Sequence, residues 1–532
     1  MVEKDRIISE SGFEIDRAYG PKDEKGNVSG TIGEAGTFPF TRHIYQDGYR
    51  SRIWQPSLYS GFGTPEDANS RFRYLLDQGN GRVNVAFDLP TQLGLDCDDS
   101  GVVRDVGRVG VSVCSLADFE IMFQGIPLAK IPVSLNISSM APIIQAMLVA
   151  VAKKQDCPLD QLRGTIANDI CHEFISRGAW IFPVEGSLRL LGDTAEYIIR
   201  NMPKFYPFNV RAILLHEQGA APPQEVGISF GIARTYIDLL LDRGFTVDDV
   251  ASRLSFFFGT GMHFFEEAAK FRAARRLWAR IVREEYGSVE ETSQKLRFTC
   301  VAGCGSYFSA QLPELNLVRS TLGALGAALG GTQAMLGTTI DEAYDIPTEY
   351  SQLLALRTQQ ILALESDVAS TVDPLGGSYF VESMTDQIEE MSQENMNEVY
   401  PTNGVIEGIN NGSIQRKIER RAYRIQCAIE DGTRPWVGVN VHTDKGQDQP
   451  EIVKWEHDEE LWKRRVEALE GTREQRDEGE VRRALERLEE ECRSQESVMP
   501  ATIKAVEAYS TVGEICEVYR TVFGEFQEPV PK

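Results

Sequence analysis

The chain has 532 residues, 42% of them apolar, and a formal net charge of −24. That charge excludes a polyanion partner gripped through a broad basic face. No apolar run approaches the roughly 20 residues that cross a bilayer, and the charged start Met1-Val-Glu-Lys-Asp-Arg6 lacks the apolar core of a secretory signal, so a cytoplasmic location is expected.

In chain order, short apolar segments alternate with helical patterns from about residue 80 onward. Expected strands are Arg82–Phe87, Ile131–Ile137, Arg163–Ala167, Val210–Leu215, Leu254–Phe258 and Leu296–Cys300, with helical patterns such as Ala141–Ala152 and Tyr236–Asp242 between them. This alternation indicates parallel βα units. It fits one α/β (βα)8 TIM barrel, with a doubly wound sheet as the alternative. Ser134, Asn136 and Ser138 alternate with Val133, Leu135 and Ile137, and the pairs Asn84/Ala86 and Thr165/Ala167 repeat the pattern. Period two puts the small polar residues on one face. A barrel lumen is usually filled by bulky branched side chains, so this pattern predicts a hollow axis, unless these are merely exposed strand ends. The stretch Arg253–Trp278 reads as a strand, a glycine turn and a basic amphipathic helix with Phe264, Ala268, Phe271 and Leu277 near helical spacing. After about residue 400 charge density rises, Trp455–Ser497 predicts a solvated helix pair, and Val498–Gly524 predicts a second, more apolar pair.

Nine cysteines occur without a Cys-x-x-Cys pair and six histidines without metal-ligand spacing, so reduced thiols and no bound metal are expected.

Arg253–Trp278 closely resembles a segment of the cobalamin-dependent acyl-CoA mutases, the methylmalonyl-CoA mutase family. Further blocks carry the resemblance from about residue 36 to 528: Tyr59–Gly63, Val85–Gln92, Asp105–Val111, Gly164–Ile170, Gly331–Gln333 with Asp341–Ala343, Asp373–Tyr379 and Val437–Asn440. The resemblance implies a hollow TIM barrel through which the pantetheine arm of coenzyme A is threaded, and a radical rearrangement begun by adenosylcobalamin. It divides the chain into an N-terminal arm (1–35), an acyl-thioester-binding barrel (36–400) and a C-terminal helical region (401–532).

The family's cobalamin-binding domain is marked by Asp-x-His-x-x-Gly, which none of the six histidines satisfies here. The resemblance therefore implies a large subunit that works with a separate small cobalamin-binding chain carrying that motif, as a homodimer of heterodimers. Residue by residue, Tyr59 matches an aromatic wedge beside substrate and corrin, and Arg177 matches an arginine that binds a substrate carboxylate through its planar fork. Tyr45, Arg52, Thr165, Arg253 and Ser255 match positions that contact coenzyme A, with Asn84 on the polar lumen face. Gln92, Asp105 and Gln333 lie in cofactor-side blocks, and Glu342 matches an acid near the adenosyl ribose.

Several positions depart from the family. Leu214 stands where a histidine touches the thioester carbonyl, and His216, two residues on and expected on the same side of a strand, is the candidate substitute. Ala167 replaces a glutamine beside the substrate, Gln55 and Ser57 replace a threonine and an arginine, the usual His-Ser-Gln run after Cys300 is lost, and Leu336 replaces another histidine. The expectation is therefore the large subunit of an adenosylcobalamin-dependent carbon-skeleton mutase acting on a branched, carboxylate-bearing acyl-CoA or other pantetheine-linked thioester through an altered pocket. A non-catalytic, partner-binding mutase-like subunit is the alternative.

Overall fold

A computed structural model of the chain describes residues 7–16, 32–400, 404–443, 458 and 460–528. Its strands are β1 (Ile7–Ile8), β2 (Glu14–Ile15), β3 (Gln55–Ser57), β4 (Val83–Ala86), β5 (Val133–Asn136), β6 (Gly164–Ile166), β7 (Phe205–Tyr206), β8 (Phe208–Val210), β9 (Leu254–Gly259), β10 (Phe298–Ala302) and β11 (Ala334–Gly337). The chain divides into two compact units, Met1–Pro56 with Arg211–Trp455, and Ser57–Val210 with Glu456–Lys532. Apart from the β1–β2 hairpin, the paired strands within each unit run parallel, and the fold class is α/β.

In the second unit the sheet order is β4-β5-β6-β7. Register aligns Asn84 with Ser134 and Thr165, and Val85 with Leu135 and Ile166. The two rows serve opposite faces, as the period of two requires. Val83, Val85, Val133, Leu135 and Ile166 enter a core that also holds Phe119, Ile144 and Met147. Asn84, Ser134, Asn136 and Thr165 form the other face and are all at most 7% exposed. Asn136 Nδ2 donates to Asn84 Oδ1 at 2.6 Å, and Asn84 Nδ2 donates to Ser57 Oγ at 3.3 Å, so the buried amides find partners within the face. The helix Ala141–Lys154 is buried at every position from Ala141 to Ala152, which accounts for its lack of a polar stripe. The two apolar helices expected near the carboxyl end form as Met499–Glu507 and Val512–Phe523, and Met499, Val506, Ile515 and Tyr519 complete this same core. The charged pair forms as Leu461–Gln475 and Glu478–Arg493 and is mostly solvated, although Arg465 is 2% exposed and pairs with Asp118 at 2.7 Å.

In the first unit β3, β11, β10 and β9 lie in that order. Phe256 and Phe258 of β9 and Phe298 of β10 stack against Phe271 and Trp278, with ring centroids 4.7 to 5.8 Å apart. The opposite face carries Phe257, Thr299, Val301 and Leu336, so the small polar pattern of the other sheet does not extend to this one.

Two local expectations are corrected. The helix of the Arg253–Trp278 stretch forms as Phe264–Arg280, but it is buried on all sides instead of presenting a basic face to water. Its cations are matched internally: Arg272 pairs with Asp373 and Glu382, and Arg276 with Asp386 and Glu389, which brings Tyr379–Val399 against it as a cover. The strand expected at Val210–Leu215 ends at Val210, and Ile213–Glu217 is a short helix. Leu214, Leu215 and Glu217 are good helix formers, and alternate residues on a helix point nearly oppositely. Leu214 and His216 therefore do not share a side: His216 is buried and Leu214 is half-buried.

Candidate active site

In the second unit, Thr165 is in the middle of β6 and Ala167 lies just past its carboxyl end, 1% exposed. Asn168 follows with φ 43°, a left-handed backbone that its side chain stabilises by donating to Leu191 O at 3.1 Å and Pro207 O at 3.2 Å. This turn sends the chain into a π-helical stretch, Glu173–Arg177, closed by Gly178 N donating to Glu173 O at 2.9 Å. A π-turn shifts the side chains by one position relative to an α-helix and recurs at functional sites. Here it carries Arg177, whose Nη1 donates to both oxygens of Glu173 at 3.2 and 3.4 Å. Glu173 is fully buried and also accepts from Ser138 Oγ at 3.1 Å, whereas the Arg177 side chain remains 30% exposed. The guanidinium is braced from behind and keeps an accessible edge.

Tyr59 is half-buried and lies just beyond β3. Its neighbour Ser60 bridges to β4 through Ser60 N to Asn84 O at 3.0 Å and Ala86 N to Ser60 O at 2.8 Å. Gly61 follows at φ +134°, where a Cβ would meet Ala86 O at 2.4 Å, so only glycine lets the Tyr59 segment lie this close to the strand. Gln92 follows β4 and is buried, with Nε2 donating to Phe87 O at 2.6 Å and Oε1 without a partner among the described residues. Asp105 is half-buried in the loop that positions Gly107 N to donate to Asp88 at 2.8 Å. Burial pushes the Asp88 carboxyl up to about 6 despite its hydrogen bonds from Thr91 and Gly107.

In the first unit, Arg253 and Ser255 occupy the amino end of β9, Tyr45 packs against His43 at 5.6 Å between ring centroids, and Arg52 is exposed. Gln333 immediately precedes β11, where Oε1 accepts from Phe298 N at 2.9 Å and Nε2 donates to Gly331 O at 2.7 Å. Both ends of its amide serve the backbone. Gln333 thus lies at the opposite end of β11 from Glu342. Tyr59, Gln92, Ala167, Arg177 and Glu342 follow the carboxyl ends of their strands, as βα proteins place their chemistry, whereas Gln333, expected beside them among the cofactor contacts, lies at an amino end with Arg253 and Ser255.

His216 belongs to a buried charged cluster that sequence reading missed. Its Nδ1 lies 3.0 Å from Glu225 Oε2, and Lys270 Nζ donates to the same oxygen at 2.8 Å. Glu225 Oε1 accepts from Gly259 N at 3.0 Å, and Lys270 also donates to Gly259 O at 2.8 Å and pairs with Glu267 at 2.5 Å. Burial alone would raise the Glu225 carboxyl, but Lys270 and His216 hold it down at about 2. Burial would lower the His216 imidazole, but the charge and hydrogen bond of Glu225 raise it. Gly259 makes the approach possible, since a Cβ there would lie 2.5 Å from Cys304 Sγ and 3.0 Å from His216 Cγ. Glu267 and Lys270 are spaced i, i+3 in the sequence, but nothing local marks Glu225, tens of residues away, as their partner.

At the carboxyl end of β11, Thr338 Oγ1, Thr339 Oγ1 and Asp341 Oδ1 are buried without hydrogen-bond partners among the described residues. Glu342 beside them is solvent-accessible yet closely surrounded, and this enclosure, with the Glu217 and Asp341 carboxylates, pushes its carboxyl up to about 7. Glu217 accepts from Gly305 N and Ser306 N, both at 2.9 Å. Unsatisfied hydroxyls beside an acid near neutrality fit a hydroxyl-rich group such as the ribose of an adenosyl cofactor.

Comparison with known proteins matches residues 8–525 to the family described as methylmalonyl-CoA mutase. The 2-hydroxyisobutanoyl-CoA mutase large subunit of Aquincola tertiaricarbonis is 37% identical over 526 residues, 99% of this chain and 93% of that protein. Methylmalonyl-CoA mutase of Rhizobium meliloti is 37% identical over 97% of this chain and 72% of its own length. The methylmalonyl-CoA mutase large subunit of Porphyromonas gingivalis is 36% identical over 93% and 69%.

Proposed function

The chain belongs to the methylmalonyl-CoA mutase family, whose members are adenosylcobalamin-dependent acyl-CoA isomerases of TIM-barrel type, and from that premise we propose that it is the large, substrate-binding subunit of such a mutase, paired with a small cobalamin-binding chain. The observation that carries the reading is the match along 93% of a protein named a large subunit. The substrate we propose is a branched acyl-CoA, or other pantetheine-linked acyl thioester, bearing a carboxylate.

Adenosylcobalamin, when bound, supplies the adenosyl radical that starts the rearrangement. The chain's own residues position and enclose. Arg177 presents the open edge of its guanidinium to the substrate carboxylate while Glu173 and Ser138 hold the other side. Tyr59, on a segment held against β4, wedges beside the reacting acyl group. Thr338, Thr339 and Glu342 of the first unit would hold the adenosyl ribose, and Gln92 and Asp105 are the second unit's candidate cofactor contacts. Arg253, Ser255, Thr165 and Asn84, with Tyr45 and Arg52, contact the coenzyme A portion. Ala167, Leu214 and Leu336 remove hydrogen-bond donors, which supports an acyl end more apolar than that of methylmalonyl-CoA.

The test is reconstitution with a small cobalamin-binding subunit and adenosylcobalamin, followed by addition of methylmalonyl-CoA, 2-hydroxyisobutanoyl-CoA and bulkier branched homologues. Rearranged product from at least one supports the reading. A correctly assembled complex that leaves every thioester unchanged favours the non-catalytic subunit.

A further inference from the structure

The π-turn that carries Arg177 is held on two sides, both within the second unit. Such turns are rare single-turn bulges, so their surroundings have to fix them. On one side stand the residues that follow β5: Ser138 Oγ donates to Glu173 at 3.1 Å, and Ser139 Oγ donates to Ala179 O at 2.5 Å. On the other side stands a segment far away in the sequence, residues 524–527, directly after the helix Val512–Phe523.

That segment is aimed by its own backbone. Gly524 takes φ +79° with ψ −173°, a conformation that a side chain would strain, and it turns the chain out of the helix. Its N–H donates to Arg520 O at 2.8 Å, and two residues later Phe526 N donates to Ile181 O at 2.8 Å. The Phe526 ring then meets Phe174 edge to face at 4.7 Å and Trp180 at 5.6 Å, while Phe174 and Trp180 stack at 6.1 Å. Three rings close on one another at the separations aromatic pairs prefer. Tyr519 and Phe523 of the same helix pack on Phe182 at 6.0 and 6.3 Å, which anchors the root of the segment.

Phe174 belongs to the π-turn, is 4% exposed, and directly follows Glu173, the carboxylate that grips Arg177. Trp180 lies two residues past Gly178, whose N–H closes the turn on Glu173 O. Phe526 therefore touches one residue inside the turn and one just beyond it. We propose that Phe526 is a positioning residue for Arg177: packed on Phe174 and Trp180 it fixes the π-turn, and through Glu173 it fixes the plane in which the guanidinium meets a substrate carboxylate. The substrate half of this statement rests on the mutase reading, whereas the coupling of Phe526 to the turn does not. Its consequence is confined to carboxylate-bearing ligands, because a thioester without that group gains nothing from the orientation of the fork.

The experiment compares the full chain with Phe526→Ala, Phe526→Tyr and Gly524→Ala, the last of which keeps the ring but strains the turn that delivers it. Without cobalamin, hydrogen exchange read by mass spectrometry in a peptide spanning residues 173–180 is expected to be about threefold to tenfold faster in Phe526→Ala and Gly524→Ala, and near wild type in Phe526→Tyr. Melting temperatures are expected to stay close to that of wild type, since Phe526 is half-buried and outside the main apolar core. In calorimetric titrations the Kd of methylmalonyl-CoA is expected to rise about threefold to tenfold in Phe526→Ala, and that of 2-hydroxyisobutanoyl-CoA, which has no carboxylate, to stay unchanged. Exchange at residues 173–180 that Phe526→Ala leaves unaltered overturns the proposal, as does an equal loss of affinity, or none, for the two thioesters. Faster exchange in Phe526→Ala of a chain whose wild type binds neither thioester contradicts the mutase reading and leaves the coupling of Phe526 to the turn standing.

Discussion

Arg177 and Glu173 show how one side chain can be both secured and available. The carboxylate behind the guanidinium fixes its plane, and the 30% exposure leaves donors for a second, external carboxylate. Arg177→Lys keeps the charge but loses the fork. It is expected to raise KM for a carboxylate-bearing thioester by about tenfold to a hundredfold and to leave a thioester without that carboxylate unaffected, measured as steady-state kinetics on the reconstituted complex. Glu342 makes a prediction in the isolated chain. Its carboxyl titrates near 7 in the fold against an ordinary value of 4.5, so the folded chain holds a proton that the unfolded chain has released. Stability contributed at this site therefore falls as pH rises from about 4.5 to about 7, by an amount that solvent screening of this exposed side chain reduces. Glu342→Gln removes that loss, and melting scans are expected to show the variant ahead of wild type at pH 8 and level with it at pH 4. At this scale the sequence was legible where a residue's neighbours are local. Arg177 and Glu173 stand four apart, whereas the partner of His216 became visible only once Glu225 and Lys270 were brought together by folding.

Among the elements, the helix Phe264–Arg280 depends on charges matched across a buried contact. Arg272 is fully buried and faces Asp373 and Glu382. Arg272→Met leaves Glu382 without its cation and Asp373 with only Arg42, 3.5 Å away, and is expected to destabilise the first unit by about 3 kcal/mol, read as a lower urea midpoint. Gly164 sets the register of β6 on β5. At φ +149° a Cβ there would come within 1.8 Å of Val133 O, so Gly164→Ala is expected to disrupt the pairing and to abolish soluble expression or lower the melting temperature steeply. The strands β4, β5 and β6 were legible from their alternation of apolar with small polar residues, and β9 and β10 from their apolar, largely aromatic runs. β3 and β11 were not, since Gln-Pro-Ser and Ala-Met-Leu-Gly carry no alternation, and their place follows from pairing with neighbours. The helix Phe264–Arg280 read as a surface element because its charges are countable in the sequence and their buried partners, about a hundred residues on, are not. The segment Ile213–Glu217 misled for a related reason: apolar residues before a histidine suit either a strand or a single helical turn.

For the whole molecule, the small polar face predicted from period-two alternation is present on β4, β5 and β6 of the second unit, while the sheet of the first unit is bulkier, with Phe257, Val301 and Leu336. The helices past residue 456 extend the core of the second unit. Removing them is expected to expose Val83, Leu135 and Ile144 and to make the chain aggregate, checked by expression of a chain truncated at 456. The account's central claim, a radical mutase divided between this chain and a small cobalamin-binding subunit, is tested most directly by electron paramagnetic resonance of the reconstituted complex frozen after addition of acyl thioester. The expected result is a cob(II)alamin signal coupled to an organic radical, dependent on this chain, the small subunit and the thioester together. A complex that binds adenosylcobalamin and thioester yet gives no such signal would contradict it.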